Sequence, residues 1–154
     1  TVSVGWDASM ERICTYGLFE NKNTGGKILI FNTHYDHIGE TAREKSSELL
    51  LKKITEINKD DFPVVLMGDF NSEPDSKPIK IITEELEDAA KIVRNGMYGP
   101  KGTFTGFKKN AIAERRIDYI FVKNLEVLNY RHIDDRMDTA NYLSDHLPVF
   151  IELK

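Results

Sequence analysis

One cysteine, one tryptophan and five prolines in 154 residues set the first limits on this chain. A lone thiol, Cys14, cannot form an internal disulfide, so a cross-linked scaffold is excluded and stability must come from a packed core. No apolar run approaches the roughly 20 residues that a membrane-crossing helix needs. An excess of positive charge is also missing. Lys and Arg total 21 against 25 Asp and Glu, a net charge of −4, so the chain as a whole has no electrostatic footprint for nucleic acid. Repeats, low-complexity tracts and linkers are not found, which leaves one unit. What is present, 40% hydrophobic and 30% charged residues, reads as a soluble globular domain with a real core. No leader is visible and the compartment is unassigned.

Strand-like and helix-like segments alternate, the pattern of an α/β unit. Residues 12–19 and 27–33 are β-rich and joined by the turn-rich stretch 21–26, which predicts a hairpin. Thr41 and Glu44 have capping-box spacing and predict a helix running to about residue 58. Its Leu50, Ile54 and Ile57 form one buried stripe. Residues 62–67 are apolar without alternation, as in a central strand covered on both faces. Pro74 and Pro78 punctuate a loop before a short helical stretch, 79–91. Residues 94–115, rich in Gly, Lys and Asn, read as a surface excursion, and 117–122, 125–130 and 147–153 close the series as strands.

Two acid-bearing clusters sit at strand ends. Gly68-Asp69-Phe70-Asn71 follows the run 62–67, and Ser144-Asp145-His146 precedes the run 147–153. Carboxylates and a histidine converging on one place can hold a divalent cation beside a phosphate. If strand geometry persists through Asn71, Asp69 and Asn71 point to the same side. The carboxylate can then take a proton from water and the amide can donate to a phosphoryl oxygen. On its own, the tetrapeptide fits equally a turn whose Asp and Asn cap their own backbone. His146 suits proton transfer if a carboxylate fixes its tautomer, and Asp118, at a strand start, is the candidate. An isolated Asp-His dipeptide is otherwise a surface cap.

His34 follows a strand, in Thr33-His34-Tyr35-Asp36-His37. One Cys and four scattered His suit zinc poorly, whereas hard oxygen ligands favour Mg²⁺ or Mn²⁺. Lys101, Lys108, Lys109, Arg115 and Arg116 accompany Phe104 and Phe107. They either grip a phosphate-bearing substrate, with Lys108 and Arg116 as the candidates, or form a solvated basic loop with core-facing rings. Arg43 reads as a surface partner of Glu40 or Glu44. Asp134, Asp135 and Asp138 read as a solvated loop, because they lack calcium-loop spacing.

Taken in series, Thr33-His34, Gly68-Asp69-Phe70-Asn71, Arg116-Ile117-Asp118-Tyr119 and Ser144-Asp145-His146 resemble the endonuclease/exonuclease/phosphatase superfamily of DNase-like phosphohydrolases. Gly5-Trp6-Asp7-Ala8-Ser9 and Gly102-Thr103-Phe104-Thr105-Gly106-Phe107 extend the likeness. The resemblance implies part of a four-layer α/β sandwich, with a mixed β-sheet and flanking helices, of which residues 1–154 are the C-terminal portion. The family's early Asn and metal-binding Glu have no counterpart here. It implies a metal-dependent phosphohydrolase that cleaves a phosphodiester or phosphomonoester with an activated water and uses Mg²⁺ or Mn²⁺. Asp69 and Asn71 would contact the nucleophile and scissile phosphate, and His34 a phosphoryl oxygen. Asp118 would orient His146, the general base or transition-state partner, and Asp145 would ligate the metal.

The partner expected is a phosphate ester: nucleic acid, phospholipid or a small phosphodiester. Net acidity favours a small or short substrate over long duplex DNA. A non-catalytic relative that only binds a phosphorylated partner is the alternative. Three structural expectations follow. The six side chains His34, Asp69, Asn71, Asp118, Asp145 and His146 converge. Asp118 meets His146 in a direct hydrogen bond of about 2.6–3.2 Å. Without the family's Glu, Mg²⁺ binds weakly, and an apolar face is left open to self-association.

Overall fold

A computed structural model describes residues 3–135 and 142–154. In chain order the elements are β1 (Cys14–Glu20), β2 (Lys27–His34), α1 (Glu40–Ile57), β3 (Val64–Asp69), α2 (Lys77–Ile82), β4 (Glu87–Asp88), α3 (Ala89–Ile92), β5 (Met97–Tyr98), β6 (Asp118–Lys123), β7 (Val127–His132) and β8 (Val149–Leu153). The predicted hairpin is present: β1 and β2 pair antiparallel from Cys14↔Thr33 to Glu20↔Lys27. Its turn is closed locally, with Asn21 Oδ1 accepting from the N–H groups of Asn23 and Thr24.

Helix α1 carries the chain from β2 to a parallel β3, and β6 runs antiparallel on the other side of β3. The first sheet therefore has the order β1-β2-β3-β6-β4 and is mixed. β3 is its central strand and is covered on both faces. Val64 and Leu66 pack with Leu50, Leu51 and Ile54 of α1 and Ile79 and Ile82 of α2. Val65 turns the other way, into a cluster with Ile120, Val122, Val127 and Tyr130. That second cluster joins the first sheet to a three-stranded sheet of order β5-β7-β8. Helices, mixed sheet and second sheet are thus consecutive layers of an α/β sandwich. No helix among the described residues is long and apolar enough to cross a membrane.

Three local expectations are corrected. Helix α1 begins at Glu40 after Gly39, so Thr41 and Glu44 lie inside it and form no capping box. The N–H groups of Thr41 and Ala42 go instead to the Asp7 carboxylate, at 3.1 and 2.6 Å. Asp7 packs so closely that a Cβ at Gly39 would lie 2.6 Å from its carbonyl oxygen. The stretch 79–91 is not one helix. Asp88 enters the sheet opposite Phe121 and then caps α3 by accepting from Ala90 N–H at 3.1 Å, so the segment divides. The stretch 94–115 is only partly a surface excursion, since Thr103, Thr105 and Ala113 are buried and β5 pairs with β7. Asp134 is half-buried and Asp135 exposed, while Asp138 lies outside the described residues.

Candidate active site

The strand register builds the site. His34 is the Cα partner of Asp69 across β2 and β3, and Asp69 is the partner of Asp118 across β3 and β6. Three candidate side chains therefore stand level on adjacent strands. They lie where the parallel strands end, the usual place for a ligand on an open α/β sheet. Gly68 permits the row: its φ is 141°, and a Cβ there would lie 1.8 Å from the Thr33 carbonyl oxygen.

Past Asp69 the chain turns sharply. Asn71 adopts φ 46°, its N–H donates to Asp69 Oδ1 at 2.8 Å, and its side-chain amide donates to Tyr35 O at 3.0 Å. The self-capping turn and the shared site are therefore one geometry. His146 arrives from the loop before β8. Its Nδ1 lies 2.8 Å from Asp118 Oδ2, as expected, and its Nε2 lies 3.9 Å from Asp69 Oδ2. His34 Nε2 lies 3.3 Å from the same Asp69 oxygen. A cleft of about 250 Å³ opens at Asp69 and Asp118, walled by Leu147 and Pro148. A larger cavity, about 870 Å³, lies elsewhere, between Tyr98, Arg131 and Phe150 on the second sheet, and contains none of the predicted site residues.

Electrostatics follow from this crowding. Burial pushes the Asp69 carboxyl up and the facing Asp118 charge adds to it, against the pull of the Asn71 amide and the two histidines. For His146 burial works downward, but the Asp118 hydrogen bond and charge, with Asp69 and Asp145, outweigh it and raise the imidazole's proton affinity. Asp69, Asp118 and His146 each offer a ligand atom, all within 4.8 Å of one another, and that negative, oxygen-rich set fits one divalent cation. Asp145 is half-buried at the rim. Its backbone carbonyl accepts from the Thr105 N–H and hydroxyl at 2.7 and 3.0 Å, and its carboxylate is not part of that set.

Other predicted residues fall elsewhere. Arg116 is corrected: it is 8% exposed, its guanidinium pairs with the Asp88 carboxylate, and it lies 4.4 Å from the Tyr119 ring. An internal cation with an internal counter-ion is not presented to a substrate. Its neighbour Arg115 points outward, toward Glu73 at 3.0 Å and over Phe104 at 5.6 Å. Lys108 stays exposed on the loop beyond Thr105. Arg43 donates to the Asp36 carbonyl at 3.1 Å rather than to Glu40 or Glu44, and Glu44 pairs with Lys77. His37 lies 3.1 Å from the Arg12 guanidinium, apart from the carboxylate row.

Two side chains make contacts that the sequence reading did not assign to them. Phe104 meets the His146 ring edge-on at 5.1 Å, although its place in an aromatic-basic stretch was a usable signal. Asp36, only 2% exposed, accepts from Ser9 N–H and hydroxyl, Met10 N–H, Ile38 N–H and Gly39 N–H at 2.7–3.4 Å. Burial opposes its charge, but those donors hold the carboxyl well below the usual carboxylate range. Asp36 thereby ties the segment before β1 to the start of α1, just after His34. An acid three residues before the glycine that opens α1 was the available signal.

Residues 4–146 match the profile of the Endonuclease/Exonuclease/phosphatase family. Among solved structures, a mannosyl-6-phosphatase from Bacteroides thetaiotaomicron is similar at 36% identity and a TM-score of 0.90, over 99% of this chain and 60% of that one. A functionally unknown conserved protein from Enterococcus faecalis gives 31% identity and a TM-score of 0.90, over 99% and 60%. The human Nocturnin catalytic domain with bound sulfate gives 24% identity and a TM-score of 0.74, over 95% and 54%, a likeness of fold alone. The chain spans about 60% of the length of the first two. No curated protein matches it.

Proposed function

Since the chain belongs to the endonuclease/exonuclease/phosphatase family, we propose that its protein is a phosphohydrolase that uses Mg²⁺ or Mn²⁺ to cleave a phosphate ester with an activated water. The observation that carries this reading is the level row His34, Asp69, Asp118 with His146 at 2.8 Å from Asp118.

Asp118 accepts the Nδ1–H of His146, which turns Nε2 toward the space beside Asp69. The raised proton affinity of His146 suits it to donate to a phosphoryl oxygen as charge develops there. Asp69, itself eager for a proton, is placed to accept one from water. His34 and Asn71 flank Asp69 and would hold phosphoryl oxygens, with Lys108 offering charge from its exposed loop. Asp69 and Asp118 would hold the cation through carboxylate oxygens, with Asp145 as a further ligand at the rim, while His146, with Nδ1 on Asp118 and its proton on Nε2, stays off the metal. When bound, the cation would supply Lewis-acid stabilisation of the phosphoryl group.

The substrate class we favour is a small phosphomonoester borne on a sugar. The likeness at 36% identity to a mannosyl-6-phosphatase supports it, as does the net negative charge. A panel of hexose 6-phosphate, short oligonucleotide and phosphoinositide with Mg²⁺ or Mn²⁺ tests it by phosphate release. Turnover of the sugar phosphate that is lost in Asp69→Asn and His146→Ala is the expected result. Turnover that persists in both variants would refute the assignment. The second reading is a chain that binds a phosphorylated partner without turnover. Binding without phosphate release would select it. Exposed Tyr16, Leu18 and Phe19 on β1 are where we place self-association, read by sedimentation.

A further inference from the structure

Asp118 and His146 are 28 residues apart, and something must hold their two segments in register. Thr103 touches both. It is 0% exposed, and its hydroxyl oxygen accepts from the N–H groups of Ile117 and Asp118 at 3.1 and 3.2 Å. Its N–H donates to Arg115 O at 2.8 Å, and its carbonyl accepts from Leu147 N–H, the residue after His146, at 2.7 Å. Phe104 next to it forms backbone bridges to both Arg115 and His146. Residues 103–105 are therefore a splint between the start of β6 and the loop that carries His146.

A side chain is needed at that point because β4 stops short. Its pairing covers Phe121 and Val122, so among the described residues no strand on that side of β6 reaches Asp118. A buried N–H left without an acceptor there is costly, and one hydroxyl oxygen serves two of them. We propose that Thr103 is the positioning residue of the Asp118–His146 pair: its hydroxyl sets the backbone from which Asp118 projects, and its carbonyl sets the backbone beside His146. This role rests on the functional reading of that pair given above. Thr103 touches no reacting atom.

Thr103→Val keeps the shape and removes the acceptor, whereas Thr103→Ser keeps the acceptor. Proton NMR of the chain reads the His146 Nδ1–H held by Asp118, and hydrogen exchange reads the amides of Ile117 and Asp118. In Thr103→Val the imidazole N–H signal is expected to be lost, and protection of both amides to fall by about tenfold or more. On a substrate that the parent turns over, kcat is expected to fall on the order of ten- to a hundredfold with KM little changed. Thr103→Ser is expected to restore all of these. If Thr103→Val does not fold, Thr103→Cys, with only a weak acceptor, takes its place. A folded Val or Cys variant that keeps the imidazole signal and the amide protection would overturn the role. Loss of the signal in a chain that hydrolyses no phosphate ester would support the positioning role and remove the catalytic reading.

Discussion

Asp69 and Asp118 stand directly opposite one another across the antiparallel pairing of β3 and β6. Like charges so placed repel, and burial keeps water from screening them well. The arrangement is tolerable because His34 and His146 approach the same Asp69 oxygen, at 3.3 and 3.9 Å. It is also the arrangement that creates a place for a cation.

Asp69→Asn is therefore expected to stabilise the fold while removing function. The amide keeps an acceptor for the Asn71 N–H and loses the charge. Because the folded carboxyl binds its proton more tightly than the unfolded one, the parent loses stability as pH rises through the range between the two values. The variant should gain on the order of 1 kcal/mol in urea unfolding at pH 8, with the gain vanishing below about pH 4. Phosphate release should fall on the order of 10²–10⁴-fold. A variant less stable at pH 8 would show that the histidines outweigh the facing carboxylate.

Asp118→Asn tests the opposite sign. Burial alone would weaken His146's hold on a proton, and the Asp118 hydrogen bond and charge reverse that. A histidine whose folded value is raised contributes stability below its unfolded value, about 6.5, and loses it as pH rises through the folded value. The gap in unfolding free energy between parent and Asp118→Asn should be wider in the parent's favour at pH 5.5 than at pH 8.5. An equal gap at both pH values would mean that the 2.8 Å contact carries no proton linkage.

Asp36→Asn should be among the costliest single changes outside the site. Five donors converge on this carboxylate, and an amide nitrogen facing several of them replaces attraction with repulsion. A loss of about 3 kcal/mol is expected at pH 7. Because the folded carboxyl is held low, its contribution is present above about pH 4 and fades only as pH falls further, through the folded value. Chemical unfolding at pH 7 and pH 3 reads both.

Arg116→Met should cost about 3–5 kcal/mol, because it strands the buried Asp88 carboxylate. Steady-state kinetics per folded molecule should keep KM near that of the parent, in line with an internal role. A selective rise in KM at unchanged stability would return Arg116 to the substrate.

Much of this site was legible because strands announce their own ends. An apolar run that stops at Gly68 points to Asp69, and one that starts at Ile117 points to Asp118. Partners supplied from far along the chain were not legible. Asp7 caps α1 from 34 and 35 residues away, and Asp36 gathers donors from 26 and 27 residues upstream as well as its neighbours. Arg115 and Arg116 have the same local chemistry, and only the packing of Arg116 on Tyr119 and Asp88 decides which one faces inward. Thr103 was hidden for the same reason, as one hydroxyl in a Gly- and Lys-rich stretch whose donors lie 14 and 15 residues on.

Metal titration tests which carboxylates matter. Asp69, Asp118 and His146 place three ligand atoms within 4.8 Å of one another, whereas Asp145 sits beside that set. Two carboxylates with Asp145 at the rim are thin ligation for Mg²⁺, which demands near-octahedral geometry and lies below Mn²⁺ in affinity for such sites, so Mn²⁺ is expected to bind this chain more tightly. Protons compete with the cation for Asp69, which holds its proton more tightly than usual, and a protonated His146 beside it repels the cation. Affinity should therefore fall as pH drops from 8 to 6. Calorimetry of Mn²⁺ into chelator-treated protein reads the binding, and a free concentration 100-fold above Kd should stabilise the fold by about 2.7 kcal/mol. Asp69→Asn should abolish that gain, and Asp145→Asn should only reduce it. Full loss in Asp145→Asn with unchanged binding in Asp69→Asn would move the ion off the carboxylate row, to the loop of Ser144-Asp145-His146.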